Sequence, residues 1–450
     1  MSNGPSRRAK SVRAEKPVKN STRRKVPQGV RMESFLIHGP HVSEKWDFKH
    51  HVIPPMSSSV TYRLEDTERG GQGFREYASG EAHRTQPIYI YDRLDEPTRG
   101  MLEDELAAVE DGDFCVCFAT GMAAISAALG VVLKSGDEVI AHKTLYGCTY
   151  SLLTNWYPKL NIGAKFVDLR NASLLEKSIS AKTRCVYFET PVNPTMELID
   201  IAAIREIVDR VNLKRKPGEK IQVIVDNTFA TPFCQRPLEL GANIVVHSLT
   251  KNIGGFGTDM GGAVVGPHEL EGQFLLYRKD FGAALAPKSA WPILVYGLPT
   301  LPLRLKKQQE SAYEVARYLR GHAKVSRVVY PGLEDHPQYA LGKKQMRDLH
   351  GEFAPGNMIY FETSEKPGES KNCVKVVDWI AKNGYALTLA VSLGQLRSLI
   401  ENPGAMTHAA VPPEMRLEGG IAPNGIRLSI GIEHPADIIR DLENGLALAD

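Results

Sequence analysis

Long apolar runs are missing from this 450-residue sequence. No stretch of about 18 apolar residues occurs, so a membrane-spanning helix is excluded. The N-terminal segment also holds no short apolar core of the kind that a secretory signal needs, and the expected location is the cytoplasm. Cysteine is sparse. The six residues Cys115, Cys117, Cys148, Cys185, Cys234 and Cys373 are scattered without the spacing of a disulfide framework. Cys115 and Cys117 alternate in FCVCF, which places both on one face of a strand, where a thiol packs as a small hydrophobe. No second Cys/His pair follows at ligand spacing, so no metal site is expected. Internal repeats are absent as well.

Charge of one sign is scarce only locally. Residues 1–31 carry ten Lys/Arg against the single acid Glu15, a segment charge of +9. Because the whole chain sums to +3, the remainder carries −6. Such a tail could serve as a nucleic-acid arm or an organelle leader. It lacks apolar periodicity and contains Pro and Gly, and a solvated, disordered leader is the expected reading, with no nucleic-acid partner.

The chain does contain a regular alternation of short β-branched runs and longer helical patterns. The runs are FCVCFAT (114–120), DEVIAH (137–142), AKFVDL (164–169), RCVYFET (184–190), IQVIVDNT (221–228), NIVVHS (243–248) and GGAVVG (261–266). Stretches such as GMAAISAALGVVLKSG, TLYGCTYSLLTNWYP and DIAAIREIVDRVNLKRKPGE lie between them and read as helices. Strand–helix–strand repetition predicts an α/β fold with a mostly parallel sheet covered on both faces. From about Leu298 the rhythm changes. One long helical pattern is followed by the strands NMIYFET, YALTLAVSL and GIRLSIGIE with helices between them, which predicts a smaller α+β C-terminal domain.

In open α/β sheets, ligands sit at the carboxyl ends of the strands. The runs here end in Thr120-Gly121, Glu189-Thr190, Asp226-Asn227-Thr228 and His247-Ser248, with Lys251 three residues further on. Asp226 follows three apolar residues, and a carboxylate buried there requires a cationic partner. Ser248 and Thr250 supply hydroxyls suited to a phosphate. Gly121 opens a helix, where free backbone N–H groups and the helix dipole favour an anion. A nucleotide-binding phosphate loop would place its glycines before the lysine, and in HSLTKNIGGFGTD they follow it. Lysine, buried acid and phosphate cup together match what pyridoxal 5′-phosphate requires.

From about Ser34 to Asp450 the sequence resembles the Cys/Met metabolism (trans-sulfuration) family of pyridoxal-phosphate enzymes. The resemblance is carried by eight collinear blocks: YDRLDEPTRGMLEDELAAVEDG, ATGMAAI, KTLYGCTYSLL, ETPVNPTMELIDI, VDNTFATP, HSLTKNIGG, SLGQLRSLIENPGAMTH and GIRLSIGIE. It implies the aminotransferase-like fold called fold type I. It also implies an arm over 32–88 that contributes to a neighbouring subunit, a cofactor domain over 89–297 and a C-terminal domain over 298–450.

The same resemblance assigns roles. Lys251 would be the covalent seat of the cofactor and the proton shuttle. Asp226 would hold the pyridine nitrogen protonated. Tyr146 would stack on the ring and act as acid or base for the leaving thiolate. Gly121 and Met122 through backbone N–H, with Ser248 and Thr250 through hydroxyls, would hold the phosphate, joined by Tyr91 and Arg93 from a neighbouring subunit. Asn193, Arg427 and Ser392 would meet the substrate, Arg427 through its fork to the α-carboxylate.

Most of the family carries Gly after the Tyr-Gly pair, whereas the members that cleave methionine carry Cys, as Cys148 does here. Lys279-Asp280 resembles a pair near the substrate pocket of those same members. The implied reaction is γ-elimination on a sulfur amino acid, with γ-replacement or cystathionine cleavage as the alternative, in a homotetramer. Three places depart from the family pattern: Glu96-Pro97-Thr98, Gly297-Leu298-Pro299-Thr300, and GGFGTD after the lysine.

Overall fold

A computed structural model describes residues 26, 28–39, 51–78, 89–366, 368–409 and 411–450. The basic tail 1–31 lies outside the described residues except at 26 and 28–31, and so do parts of the expected arm, 40–50 and 79–88.

Seven strands form the larger sheet: β1 (Phe114–Phe118), β2 (Glu138–His142), β3 (Gly163–Val167), β4 (Thr183–Glu189), β5 (Gln222–Asp226), β6 (Ile244–Ser248) and β7 (Gly262–Gly266). Their order is β1-β7-β6-β5-β4-β2-β3. β7 runs antiparallel to both neighbours and the remaining pairs are parallel. The middles of the central strands are apolar because helices cover both faces. Val223, Ile224 and Val225, for example, are completely buried.

A second sheet holds β8 (Val325–Val329), β9 (Met358–Thr363), β10 (Leu387–Leu389), β11 (Ser398–Glu401) and β12 (Gly425–Ser429) in the order β10-β11-β12-β9-β8. The 23-residue helix Leu298–Arg320 packs against β8 and β9. Mostly parallel and mixed sheets in sequence give the α/β architecture that the residue pattern predicts. Cys115 and Cys117 share a face, their sulfurs 4.0 Å apart and buried in one apolar cluster.

Three local departures from the sequence pattern have physical causes. TLYGCTYSLLTNWYP is not one helix: a short α-helical segment, Gly147–Ser151, passes into a π-helical turn, Leu152–Trp156, and then a 3-10 turn. YALTLAVSL pairs as a strand only over Leu387–Leu389, because Ser392 takes a left-handed backbone with φ of 84°. Glu96, in the first of the three departures from the family pattern, caps the helix that follows it. Its carboxylate accepts from the Thr98 and Arg99 N–H groups at 2.8 and 2.7 Å, so the helix Pro97–Val109 begins as a capped helix should.

Candidate active site

The carboxyl ends of β4, β5 and β6 open into one region between the two sheets. Glu189 and Asp226 are register partners on neighbouring parallel strands. Burial raises both acids above the ordinary carboxylate range, and at Glu189 the Asp226 charge adds repulsion. Asp226 is held at both of its oxygens. Its Oδ1 accepts the Thr228 N–H at 3.0 Å, its Oδ2 accepts the Tyr187 hydroxyl at 3.2 Å, and Thr228 in turn accepts the Ser248 N–H at 2.8 Å. The Asp226 carboxylate lies deep but is not sealed off, which suits it to receive a protonated nitrogen from a ligand. Glu189 accepts the Tyr146 N–H at 2.6 Å and so fixes the start of the Gly147 turn.

Lys251 follows β6. Burial, with the nearby Arg427 guanidinium, lowers its ammonium from the ordinary lysine value to about 8, so roughly a tenth is the free amine at pH 7, far more than for an exposed lysine. Its Nζ donates to the Ser392 Oγ at 2.6 Å. The Ser392 carbonyl accepts from Arg427 at 2.9 Å, and the other arm of Arg427 donates to the Asn193 Oδ1 at 2.9 Å. Lysine, serine, arginine and asparagine thus form one chain of contacts across the two sheets.

The helix Gly121–Val132 starts beside this chain. Thr120 caps the Ala123 N–H at 3.1 Å, which leaves the N–H groups of Gly121 and Met122 directed out of the helix end. A Cβ on Gly121 would lie 2.8 Å from the Ser248 Cβ, so only glycine lets the helix end and Ser248 approach this closely. That cup fits a phosphate. Thr250, expected in the same cup, has its hydroxyl engaged by Gly261, accepting the backbone N–H at 3.1 Å and donating weakly to the carbonyl at 3.3 Å.

Tyr146 lies at the other wall. Burial and a hydrogen bond with the Cys148 thiol raise its phenol well above the ordinary value, so it remains a proton donor. Cys148 itself is exposed. Among the described residues, Tyr91 and Arg93 are brought to none of these groups. Both are exposed, Arg93 lies over the Tyr91 ring at 5.6 Å, and its guanidinium donates to the Lys279 carbonyl. Lys279 pairs with Asp280 at 2.6 Å on this same outer edge.

The GGFGTD departure packs tightly. Gly255 and Gly257 take left-handed φ values of 72° and 74°, and a Cβ on Gly255 would collide with the Arg304 guanidinium. Arg304 donates to the carbonyls of Asn252, Ile253 and Gly297 at 2.8, 3.1 and 2.8 Å, pinning the turn after the lysine. The turn lines a small cavity with Phe256, Asp259 and Tyr296.

Two acids that share the site lie inside the collinear blocks without a role assigned to them. Glu189 is legible as a polar strand end, but only the register reveals its Asp226 partner. Glu401 closes the short run SLI, and cross-strand pairing alone sets it opposite Arg427, at 2.9 Å.

Two carboxylates at the tips of neighbouring parallel strands, a depressed lysine and a helix-end anion cup have the chemistry that pyridoxal phosphate needs, and residues 33–447 match the Cys/Met metabolism PLP-dependent enzymes. The chain belongs to that family and is a pyridoxal-phosphate-dependent carbon–sulfur lyase. It is similar to the L-methionine gamma-lyase of Fusobacterium nucleatum subsp. polymorphum, with 39% identity over 394 residues, covering 87% of this chain and 92% of that protein. The L-methionine gamma-lyase of Treponema denticola is 35% identical over 425 residues, covering 94% and 98%. Cystathionine gamma-lyase of Bacillus subtilis is 37% identical, covering 80% and 88%. Among solved structures, cystathionine gamma-lyase from Lactobacillus plantarum complexed with L-serine superposes with a TM-score of 0.80 at 33% identity, covering 94% of this chain and 100% of that one.

Proposed function

We propose that the protein eliminates the γ-thiolate of L-methionine, converting methionine and water to methanethiol, 2-oxobutyrate and ammonia. The observation that carries this reading is the Cys148 thiol on the Tyr146 phenol, at the wall of a site whose relatives include L-methionine gamma-lyases.

Pyridoxal phosphate, when bound, supplies an electron sink for the charge left when protons leave the substrate carbons. Lys251 would hold the cofactor through its aldehyde, and the Asp226 carboxylate would keep the ring nitrogen protonated. Gly121 and Met122 offer N–H groups to the phosphate and Ser248 a hydroxyl, with Thr250 in support. Arg427, steadied by Asn193 and Ser392, takes the substrate α-carboxylate in its planar fork. The Lys251 amine, depressed to about 8, is poised to remove the α-proton at neutral pH. Tyr146, held as the neutral phenol, delivers a proton to the departing sulfur.

Tyr91 and Arg93 complete the phosphate site of a neighbouring subunit in a homotetramer, which accounts for their exposure away from the Lys251 pocket in a single chain. The proposed setting is the cytoplasm. Incubation of the purified protein with L-methionine alone, followed by assay of methanethiol and 2-oxobutyrate, tests the reading. A protein that is silent with methionine but consumes O-acetylhomoserine with sulfide would be a γ-replacement enzyme instead.

A further inference from the structure

The fork that would take the substrate carboxylate is already paired with a carboxylate of the chain itself. Glu401 on β11 lies directly opposite Arg427 on β12, and its Oε1 is 2.9 Å from the guanidinium. The two side chains are 1% and 3% exposed, so the pair has no solvent to screen it. Arg427 also donates to Asn193 and to the Ser392 carbonyl, which fixes the guanidinium plane from both ends. A docking carboxylate therefore meets a cation whose charge is already neutralised.

Glu401 itself is asymmetric. Oε1 pairs with Arg427 and accepts the Thr407 hydroxyl at 2.8 Å, whereas Oε2 is buried without a hydrogen-bond partner. A proton placed on Oε2 breaks no existing contact. Two carboxylates around one buried guanidinium cannot both stay ionised at low cost, so the arrival of a second one favours protonation of the first.

We propose that Glu401 is a positioning residue with a regulated charge: it holds Arg427 in plane while the fork is empty and takes up one proton from solvent when a substrate carboxylate docks. The inference rests on the reading of Arg427 as the carboxylate seat. The charge balance closes, since Arg⁺ with Glu⁻ becomes Arg⁺ with neutral Glu and the ligand carboxylate.

The other groups facing the pair do not compete for the proton. His408 sits behind Thr407, its Nδ1 3.1 Å from the Thr407 Oγ1, and burial with Arg427 holds its ring at about 3, so it stays neutral. Tyr146 faces Arg427 as a neutral phenol. Lys251 is the remaining cation, and burial with Arg427 already drives it toward the free amine. Glu401 is itself held above the ordinary carboxylate value, burial outweighing the opposing pull of Arg427, Thr407 and Lys251.

The probe is 3-(methylthio)propanoate, methionine without its amino group, which reports the fork without forming a bond to the cofactor. Calorimetric titration of the holoenzyme in two buffers of different ionisation heat counts the protons taken up per carboxylate bound. The expected result is net proton uptake near neutral pH, with Kd weakening by up to ~10-fold per unit rise in pH. In Glu401→Gln the uptake and the pH slope vanish while binding is retained or tightened, because the amide oxygen still accepts from Arg427 and no anion competes. For L-methionine the same variant loses the pH slope of KM. Proton-neutral binding to the unaltered enzyme, or uptake that persists in Glu401→Gln, overturns the inference. Arg427→Met separates the two readings: binding that survives it removes Arg427 as the carboxylate seat and the inference with it. Binding that requires Arg427 but exchanges no proton removes only the role of Glu401.

Discussion

The Lys251 Nζ donates to the Ser392 Oγ at 2.6 Å, and Ser392 holds this position with a left-handed backbone, φ 84°. The strain, of order 1–3 kcal/mol for a non-glycine residue, persists because the same serine also gives its carbonyl to Arg427. One residue thus sets the spacing between the lysine and the carboxylate fork.

Ser392→Gly and Ser392→Ala separate strain from function. Both lose the hydroxyl and reduce kcat/KM, by about tenfold for one lost hydrogen bond to a charged group. Glycine accepts the left-handed conformation at no steric cost, so thermal melting should find Ser392→Gly at least as stable as Ser392→Ala. A clearly lower melting temperature for the glycine variant would contradict the strain argument.

Lys251→Ala removes both the covalent seat and the base. Turnover should fall by ~10⁴-fold or more, and borohydride should trap no cofactor on the variant chain. Mass spectrometry of tryptic peptides after reduction checks this, since the unaltered protein should carry the added mass on the peptide that contains Lys251.

Arg427→Met tests the electrostatics of the lysine. The positive charge of Arg427 is one of the causes that lower Lys251 to about 8. Its removal favours the ammonium form, so in cofactor-free protein the pH at which Lys251 becomes reactive toward an amine reagent should move upward. An unchanged or lower titration point would show that burial alone sets the value.

Gly121→Ala probes the anion cup. The added Cβ would lie 2.8 Å from the Ser248 Cβ and force the helix end away from β6. Cofactor affinity should fall by at least about tenfold, visible as faster loss of the yellow colour on dialysis, while the circular dichroism of the fold is retained. Colour retained as firmly as in the unaltered protein would place the phosphate elsewhere.

Much of this was legible from the residues. The short β-branched runs give all seven strands of the larger sheet, and the polar strand ends lead to Asp226, Ser248 and Lys251. YALTLAVSL is misleading because apolar alternation continues through Ser392, whereas the backbone there turns to serve Lys251 and Arg427. TLYGCTYSLL likewise keeps a helical pattern over a segment that π and 3-10 turns break up. β8 and β11 are too short and too charged to announce themselves. Glu401 depends on register, a long-range property of the folded sheet that no local spacing encodes, and the engagement of Thr250 by Gly261 depends on how β7 packs back onto the loop.

The most direct test is product analysis with L-methionine as sole substrate. Equimolar methanethiol and 2-oxobutyrate, formed by the yellow holoenzyme and abolished in Lys251→Ala, is the predicted result. A holoenzyme that forms neither product from methionine, yet makes a new thioether or thiol amino acid from O-acetylhomoserine and sulfide, would contradict it.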